Sequence, residues 1–377
     1  MKKLLILTEW FYPAYKAGGP ITSLLNLAKT ISDKVNVTVI TSAYDLGDKK
    51  ILDNIITDVW HKQNGIRIKY FTNPKDAADE IEKRDYDFIY LNSMFSPAFT
   101  IKPLLKAKKN NLLGKIILAP RGMLASGALS LKPFKKKIFL VYFRLSGIHK
   151  KILFHATSNQ EIDDIKNIFG KNTRIKFIPN IPDKPWSSLN KSLKIARELK
   201  LISISRIAPE KNILFLLRLF KNINFNVKLD IYGMIRTQEY LIECNKIIGT
   251  LPHNVNVNIN GDIHPTLLKD KLNGAHFFIL PTLGENFGHA IYEALSSGTP
   301  VIISDKTPWR DLEFKNAGWD ISLADKEKFI EVLNKCYEMD NEEYKKWSNG
   351  AFNYAKKYYE ENNVTEKYLE MFSGKEK

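Results

Sequence analysis

Residues 281–307 read PTLGENFGHAIYEALSSGTPVIISDKT. Ala290, Ile291, Ala294 and Leu295 recur at the spacing of one buried helical face. This predicts a helix from about Phe287, ended by Gly298 and Pro300. The apolar run Val301 to Ile303 then reads as a strand. Glu285 falls in the loop before the helix and Glu293 inside it, roughly 10 to 13 Å apart along the axis at about 1.5 Å per residue. Paired acids of a glycosidase sit about 5 to 9.5 Å apart, so these two carboxylates fit a grip on separate ends of one long ligand. A solvated surface helix with incidental glutamates has the same pattern, and the helix alone does not separate the two readings.

Working outward, the second half repeats the alternation. Strands are expected at Lys200 to Ser205, Val227 to Tyr232, Val255 to Asn260 and Phe277 to Leu280, with helices at Asn212 to Phe220 and Gln238 to Ile248. The first half has strands at Leu4 to Thr8, Val35 to Thr41, Ile66 to Phe71, Phe88 to Asn92 and Lys115 to Ala119. A helix is expected from about Ile21 to Ile31, and a charged one around Asp76 to Lys83. Between the halves, IPNIPDKPW places Pro179, Pro182 and Pro185 within seven residues, a stiff linker. From Lys326 onward the chain reads as helical.

The fold class expected is α/β: two doubly wound, Rossmann-like domains and a C-terminal helical tail. A length of 377 residues fits two cores better than one. The expected bounds are 1–183, 184–354, and a tail of 355–377 returning to the first domain.

Composition narrows the class. Only Cys244 and Cys336 are present, far apart, so neither a disulfide framework nor a thiolate metal site is indicated, and a reducing cytoplasm fits. Glu9 interrupts the apolar run of the N-terminus before a signal-peptide core forms. No uninterrupted apolar run reaches the roughly 18 residues of a spanning helix, so any membrane contact is expected to be peripheral.

The formal net charge is +16. Residues 100–176 hold 17 Lys or Arg against three acids, Glu161, Asp163 and Asp164. The densest run, Lys132-Pro-Phe-Lys-Lys-Lys137, abuts the apolar segment Ile138 to Phe143. That pairing suits an anionic membrane surface, a pyrophosphate-bearing acceptor or nucleic acid, and equally a solvated lysine-rich face.

Ligands of parallel sheets bind beyond the carboxyl ends of the strands. Gly18 and Gly19, between the first strand and a helix, let backbone N–H groups approach an anion. Asn92 and Arg121 fall at strand ends. His155 follows another apolar run and is expected to be packed. In SRIAPEKN, Arg206 closes a strand and Lys211 lies five residues on, two cations suited to a diphosphate.

SRIAPEKN followed about 70 residues later by ENFGHAIYE, in the second of two α/β domains, resembles the retaining GT-B glycosyltransferases of family 4, the glycosyl transferases group 1. The E-x-F-G-x-x-x-x-E pattern matches at Glu285, Phe287, Gly288 and Glu293. The likeness covers most of the chain, including the Gly-Gly loop, the PRGM loop and the HATSNQE segment. It implies domains facing across a cleft, with Glu285 on hydroxyls of the donor sugar and Glu293 on the nucleotide ribose. It also implies Arg206 and Lys211 on the diphosphate, helped by backbone N–H groups near Phe287 and Gly288 at the helix N-terminus, with Asn286 among the substrate-binding residues and with no metal and no cofactor. The co-substrate would be a nucleotide-diphosphate sugar, UDP-linked rather than GDP-linked. The acceptor would be a glycan or lipid-linked molecule of cell-surface polysaccharide synthesis, lipopolysaccharide or capsule, at the inner face of the membrane. Many relatives carry a histidine that contacts the donor sugar where this chain has Arg121, and arginine there suggests either a subgroup with different sugar contacts or a direct phosphate contact. A nucleotide-sugar epimerase uses the same architecture without an acceptor. A basic nucleic-acid-binding protein would use the patch alone, but no nucleic-acid motif is legible.

Overall fold

The computed structural model describes all residues except 83–84, 131–132, 188, 190 and 375–377. The chain divides into two units, Met1–Ile181 with Asn363–Lys377, and Pro182–Asn362.

The first unit is built on eight strands: β1 (Lys2–Leu7), β2 (Val35–Ser42), β3 (His61–Gln63), β4 (Ile66–Phe71), β5 (Phe88–Leu91), β6 (Ile116–Leu118), β7 (Leu153–Ala156) and β8 (Ile175–Phe177). Their order is β3-β4-β2-β1-β5-β6-β7-β8, parallel throughout except β3 against β4. Leu4 to Leu7 are all fully buried because both faces of the sheet are covered. Leu5 and Leu7 enter one core with Leu91, Leu118 and Phe154; Leu4 and Ile6 enter the other with Val37, Val39 and Ile68. The period of two thus sorts one apolar run into two layers.

The second unit has β9 (Leu199–Ile204), β10 (Val227–Tyr232), β11 (Val255–Ile259), β12 (Phe277–Leu280), β13 (Val301–Ser304) and β14 (Gly318–Ile321). The order is β11-β10-β9-β12-β13-β14, with every pair parallel. In each unit the chain winds outward from its first strand, then returns to build the other side. The reversal falls between β1 and β5, and between β9 and β12. Crevices for ligands open at such switch points, past the carboxyl ends.

Several boundaries differ from expectation. The unit breaks fall at 181/182 and 362/363, not at 183/184 and 354/355. Helix Asn341–Glu361 runs straight through the latter, because Tyr344, Trp347, Ala351 and Ala355 form one continuous buried stripe. The final helix, Thr365–Met371, packs in the first unit, where Tyr368 Oη donates to the Pro179 carbonyl at 3.0 Å. The charged helix near Asp76 is a 3-10 helix, Pro74–Ile81; Lys83 lies outside the described residues. Four short strands, β3, β7, β8 and β14, were not expected, and β3, with the sequence His-Lys-Gln, carries no apolar residue that could have announced it. Cys244 and Cys336 are both buried and unpaired with each other.

Candidate functional site

The switch point of the second unit is framed by loops that local backbone geometry forces together. Gly233, just after β10, has φ +150°, and a Cβ there would lie 1.9 Å from the Ser205 carbonyl oxygen past β9. Only glycine permits that approach. The two loops are then tied by Ile207 N–H to the Met234 carbonyl (2.9 Å) and Arg236 N–H to the Ile207 carbonyl (3.2 Å). A one-turn 3-10 helix, Pro209–Lys211, follows, and Asn212 at φ +58° separates it from helix Ile213–Phe220. Lys211 closes the tight turn that precedes that helix.

The loop after β12 docks on this turn. Leu283 N–H and Thr282 Oγ1 both donate to the Glu210 carbonyl, at 2.9 and 3.1 Å, and Glu285 N–H donates to the Lys306 carbonyl at 3.0 Å. Lys211 Nζ consequently donates to Glu285 Oε1, in an ion pair whose side chains are only 11% and 13% exposed. Arg206 Nη2 and Arg236 Nη1 share one oxygen of Glu210, at 3.4 and 2.8 Å. Burial pulls Arg206 below its ordinary value, against the pull of Glu210. Burial works to raise Glu210, but its backbone hydrogen bond and the neighbouring Arg206, Arg236 and Lys211 hold it below the usual carboxylate range. Three cations therefore stand against two carboxylates, an excess of positive charge beside a strand end. Arg236 escaped the sequence reading, although the signal that found Arg206 was present: a cation just past an apolar strand.

The helix carrying Glu293 is His289–Ser296, two residues later than expected. Gly288 delays it by taking φ +78°, where a Cβ would press within 2.9 Å of Ile291 Cδ1. The Phe287 side chain is buried against Tyr292, Trp309 and Tyr358, and its carbonyl accepts from Trp309 Nε1 at 2.6 Å. The Phe287 ring is thus taken up by packing, and the contact expected of this residue is through its backbone N–H. Asn286 and Glu293 are half-buried. Burial, with the Asp183 carboxylate adding to it, pushes Glu293 up to about 8, so at pH 7 it is protonated in the free protein.

The first unit brings together a second set of residues. Gly18, at φ +67°, caps helix Gly19–Ile31, and the space around its Cβ position is open. Arg121, itself at φ +56°, donates from Nε to Asn92 Oδ1 (2.7 Å), from Nη1 to Asn180 Oδ1 (2.6 Å) and from Nη2 to Tyr90 Oη (2.9 Å). Asn92 Nδ2 donates to Thr8 Oγ1 at 3.4 Å, linking the end of β5 to the end of β1. His155 is fully buried, as expected, between Tyr90 Oη (2.7 Å) and the Ile178 carbonyl (2.9 Å). Burial, reinforced by Arg121, holds its pKa near 3, so the ring is neutral. Glu9, past β1, is raised by burial against a hydrogen bond to Ser96.

Two doubly wound units, each with polar residues gathered at its switch point, are the GT-B fold. The crystal structure of Anabaena HepE in complex with UDP-glucose matches over 100% of both chains, with a TM-score of 0.69 and 18% identity. Sucrose-phosphate synthase from Thermosynechococcus elongatus matches over 99% of this chain and 98% of that one, with a TM-score of 0.71 and 15% identity. Residues 186–354, within the second unit, match the model of the family described as Glycosyl transferases group 1. A poly(glycerol-phosphate) alpha-glucosyltransferase of Bacillus subtilis (strain 168) is 26% identical over 316 residues. That alignment takes in 80% of this chain but 43% of the relative, so the chain spans less than half of that protein's length.

Proposed function

We propose that the protein is a family 4 glycosyltransferase moving a sugar, with retention, from a UDP-sugar to a glycan or lipid-linked acceptor in the synthesis of a cell-surface polysaccharide. The observation that carries this reading is the Lys211–Glu285 pair at the switch point, flanked by Arg206 and Arg236. An ammonium held by a carboxylate can turn part of its donor capacity to a diphosphate oxygen while Glu285 accepts from sugar hydroxyls. As the bond from the anomeric carbon to the phosphate oxygen breaks, its electron pair passes to the phosphate. Arg206 and Lys211 oppose that growing charge, which lowers the barrier without a metal. The acceptor oxygen bonds to the anomeric carbon on the same face and yields its proton to the departing phosphate. Glu293 takes the ribose hydroxyls. The UDP-glucose in the Anabaena structure and the poly(glycerol-phosphate) in the relative's name support a UDP donor and an anionic polymer acceptor.

Peripheral membrane contact on the cytoplasmic side completes the proposal. On helix Pro133–Leu145, Phe134, Ile138, Val141 and Leu145 form one exposed stripe, with Phe134 75% and Leu145 83% exposed, beside Lys135, Lys136 and Lys137. Lys132 lies outside the described residues. Among the described residues, no helix is long and apolar enough to cross a membrane. Basic and apolar side chains on one short helix fit an interfacial position on anionic lipid.

The deciding experiment is a panel of UDP-, GDP- and ADP-sugars screened for thermal stabilisation, since a bound donor raises apparent stability by mass action. UDP-sugars should stabilise most; no response to any donor sinks the reading. An epimerised nucleotide sugar formed from donor alone would favour the epimerase. Salt-dependent nucleic-acid binding without donor binding would favour the third class.

A further inference from the structure

The first unit holds a cation that is not ion-paired with any acid among the described residues. All three partners of the Arg121 guanidinium are neutral oxygens, from Asn92, Asn180 and Tyr90. Among the described residues no acid forms an ion pair with it. Glu161, whose carboxylate is buried beneath the same loop, is committed elsewhere: it accepts from Gly122 N–H (2.7 Å), Thr157 N–H (2.8 Å) and Thr157 Oγ1 (2.9 Å).

The direction of the network is fixed as well. With a carbonyl on one ring nitrogen, neutral His155 donates from Nε2 to Ile178 and accepts at Nδ1. Tyr90 Oη must therefore donate to His155, which leaves its lone pairs to receive Arg121. Each of the three oxygens thus fixes the guanidinium without cancelling its charge. A guanidinium has five N–H donors, so two remain. The residue is half-buried, at the carboxyl end of β6, and is tied through Asn92 to Thr8 across the switch point. A half-buried, rigid cation with spare paired donors has the make-up of a bidentate oxyanion site.

We propose that Arg121 is the receptor of an oxyanion on the acceptor, a phosphate ester, held in the first unit independently of the donor diphosphate. This rests on the anionic-acceptor part of the proposed function. Loss of a charge-assisted pair corresponds to roughly a 10- to 100-fold drop in affinity.

The test uses the full chain, with inorganic phosphate and glycerol 3-phosphate as probes, followed by calorimetry and thermal shift. Wild type should bind both in the presence of saturating UDP, and Arg121→Gln should lose that binding by roughly 10-fold or more while still being stabilised by UDP. Asn92→Asp guards against a variant that fails to fold. It leaves the guanidinium in place but sets a carboxylate on it, and should abolish phosphate binding while raising thermal stability. Unchanged phosphate affinity in either variant overturns the proposal, as does absence of phosphate binding by wild type. Competition between UDP and phosphate for one site also overturns it, because the anion would then be the donor's. Phosphate binding through Arg121 in a protein that responds to no nucleotide sugar would leave the inference standing and remove the proposed function instead.

Discussion

The two units carry cations at corresponding switch points, but treat them in opposite ways. In the second, Lys211 is paired with Glu285, and Arg206 and Arg236 share Glu210. In the first, Arg121 is held only by neutral oxygens. A paired cation keeps its position cheaply while the site is empty and must share its partner with an incoming ligand. An unneutralised one is held at the cost of burying charge, and gains most when an anion arrives. The same strand-end geometry thus serves two different electrostatic designs.

The sharpest way to break the comparison is Glu285→Ala. It should lower transfer by about 10²- to 10³-fold, the scale of losing one group that stabilises developing charge. Because Lys211 then stays buried and unpaired, stability should also fall, by about 3 kcal/mol. A loop position alone would suggest an intact fold; the ion pair says otherwise. Transfer near the wild-type rate, measured with radiolabelled donor, would remove Glu285 from the mechanism.

Two glycines test how each site is held. Gly233→Ala forces a Cβ onto the Ser205 carbonyl, with no flexible side chain to yield, and should cost about 3 kcal/mol or more in denaturant unfolding. Gly18→Ala meets open space and carries only its φ of +67°, so about 1 kcal/mol is expected. Equal costs would mean the two strand-end loops are equally constrained.

Glu293 supplies a pH signature of the second unit's site. Its folded pKa, about 8, lies above the ordinary value of 4.5, so the folded state holds a proton that the unfolded state gives up between those values. Stability from this group is fully present below about pH 4.5 and is lost as pH rises through about 8. Glu293→Gln should flatten the decline in melting temperature over that window. A variant with the wild-type slope would show that the group does not titrate there.

The smallest effect concerns the basic helix. Replacing Lys135, Lys136 and Lys137 with serine should weaken sedimentation with anionic vesicles by about 1 kcal/mol per lysine that reaches the surface. Unchanged sedimentation would leave the patch as ordinary solvated surface.

The sequence read most easily where one signal sufficed. Apolar runs such as Leu4 to Leu7 and Phe277 to Leu280 gave the strands, and the spacing of Glu285, Gly288 and Glu293 pointed to the family seen in residues 186–354. It read poorly where an element is short and its stability comes from neighbours. His61–Gln63 forms a strand only because β4 offers an edge, and Gly318–Ile321 only because β13 does. The motif marks Phe287 without saying what its ring does, and the ring completes an aromatic cluster with Trp309 and Tyr358, residues 22 and 71 positions away.

By itself, then, the sequence determined the α/β class, the two doubly wound halves and the residue types at the strand ends. Periodicity and motif spacing are local properties, and a local reading recovers them. Tertiary structure alone decided which charges are cancelled. Lys211 meets Glu285 across 74 residues, Arg236 meets Glu210 across 26, and Arg121 is held by amide and phenol oxygens from two separate segments, Tyr90 and Asn92 on one and Asn180 on the other. Whether a cation is neutralised depends on what the folded chain brings within about 4 Å, and no spacing in the sequence encodes that distance.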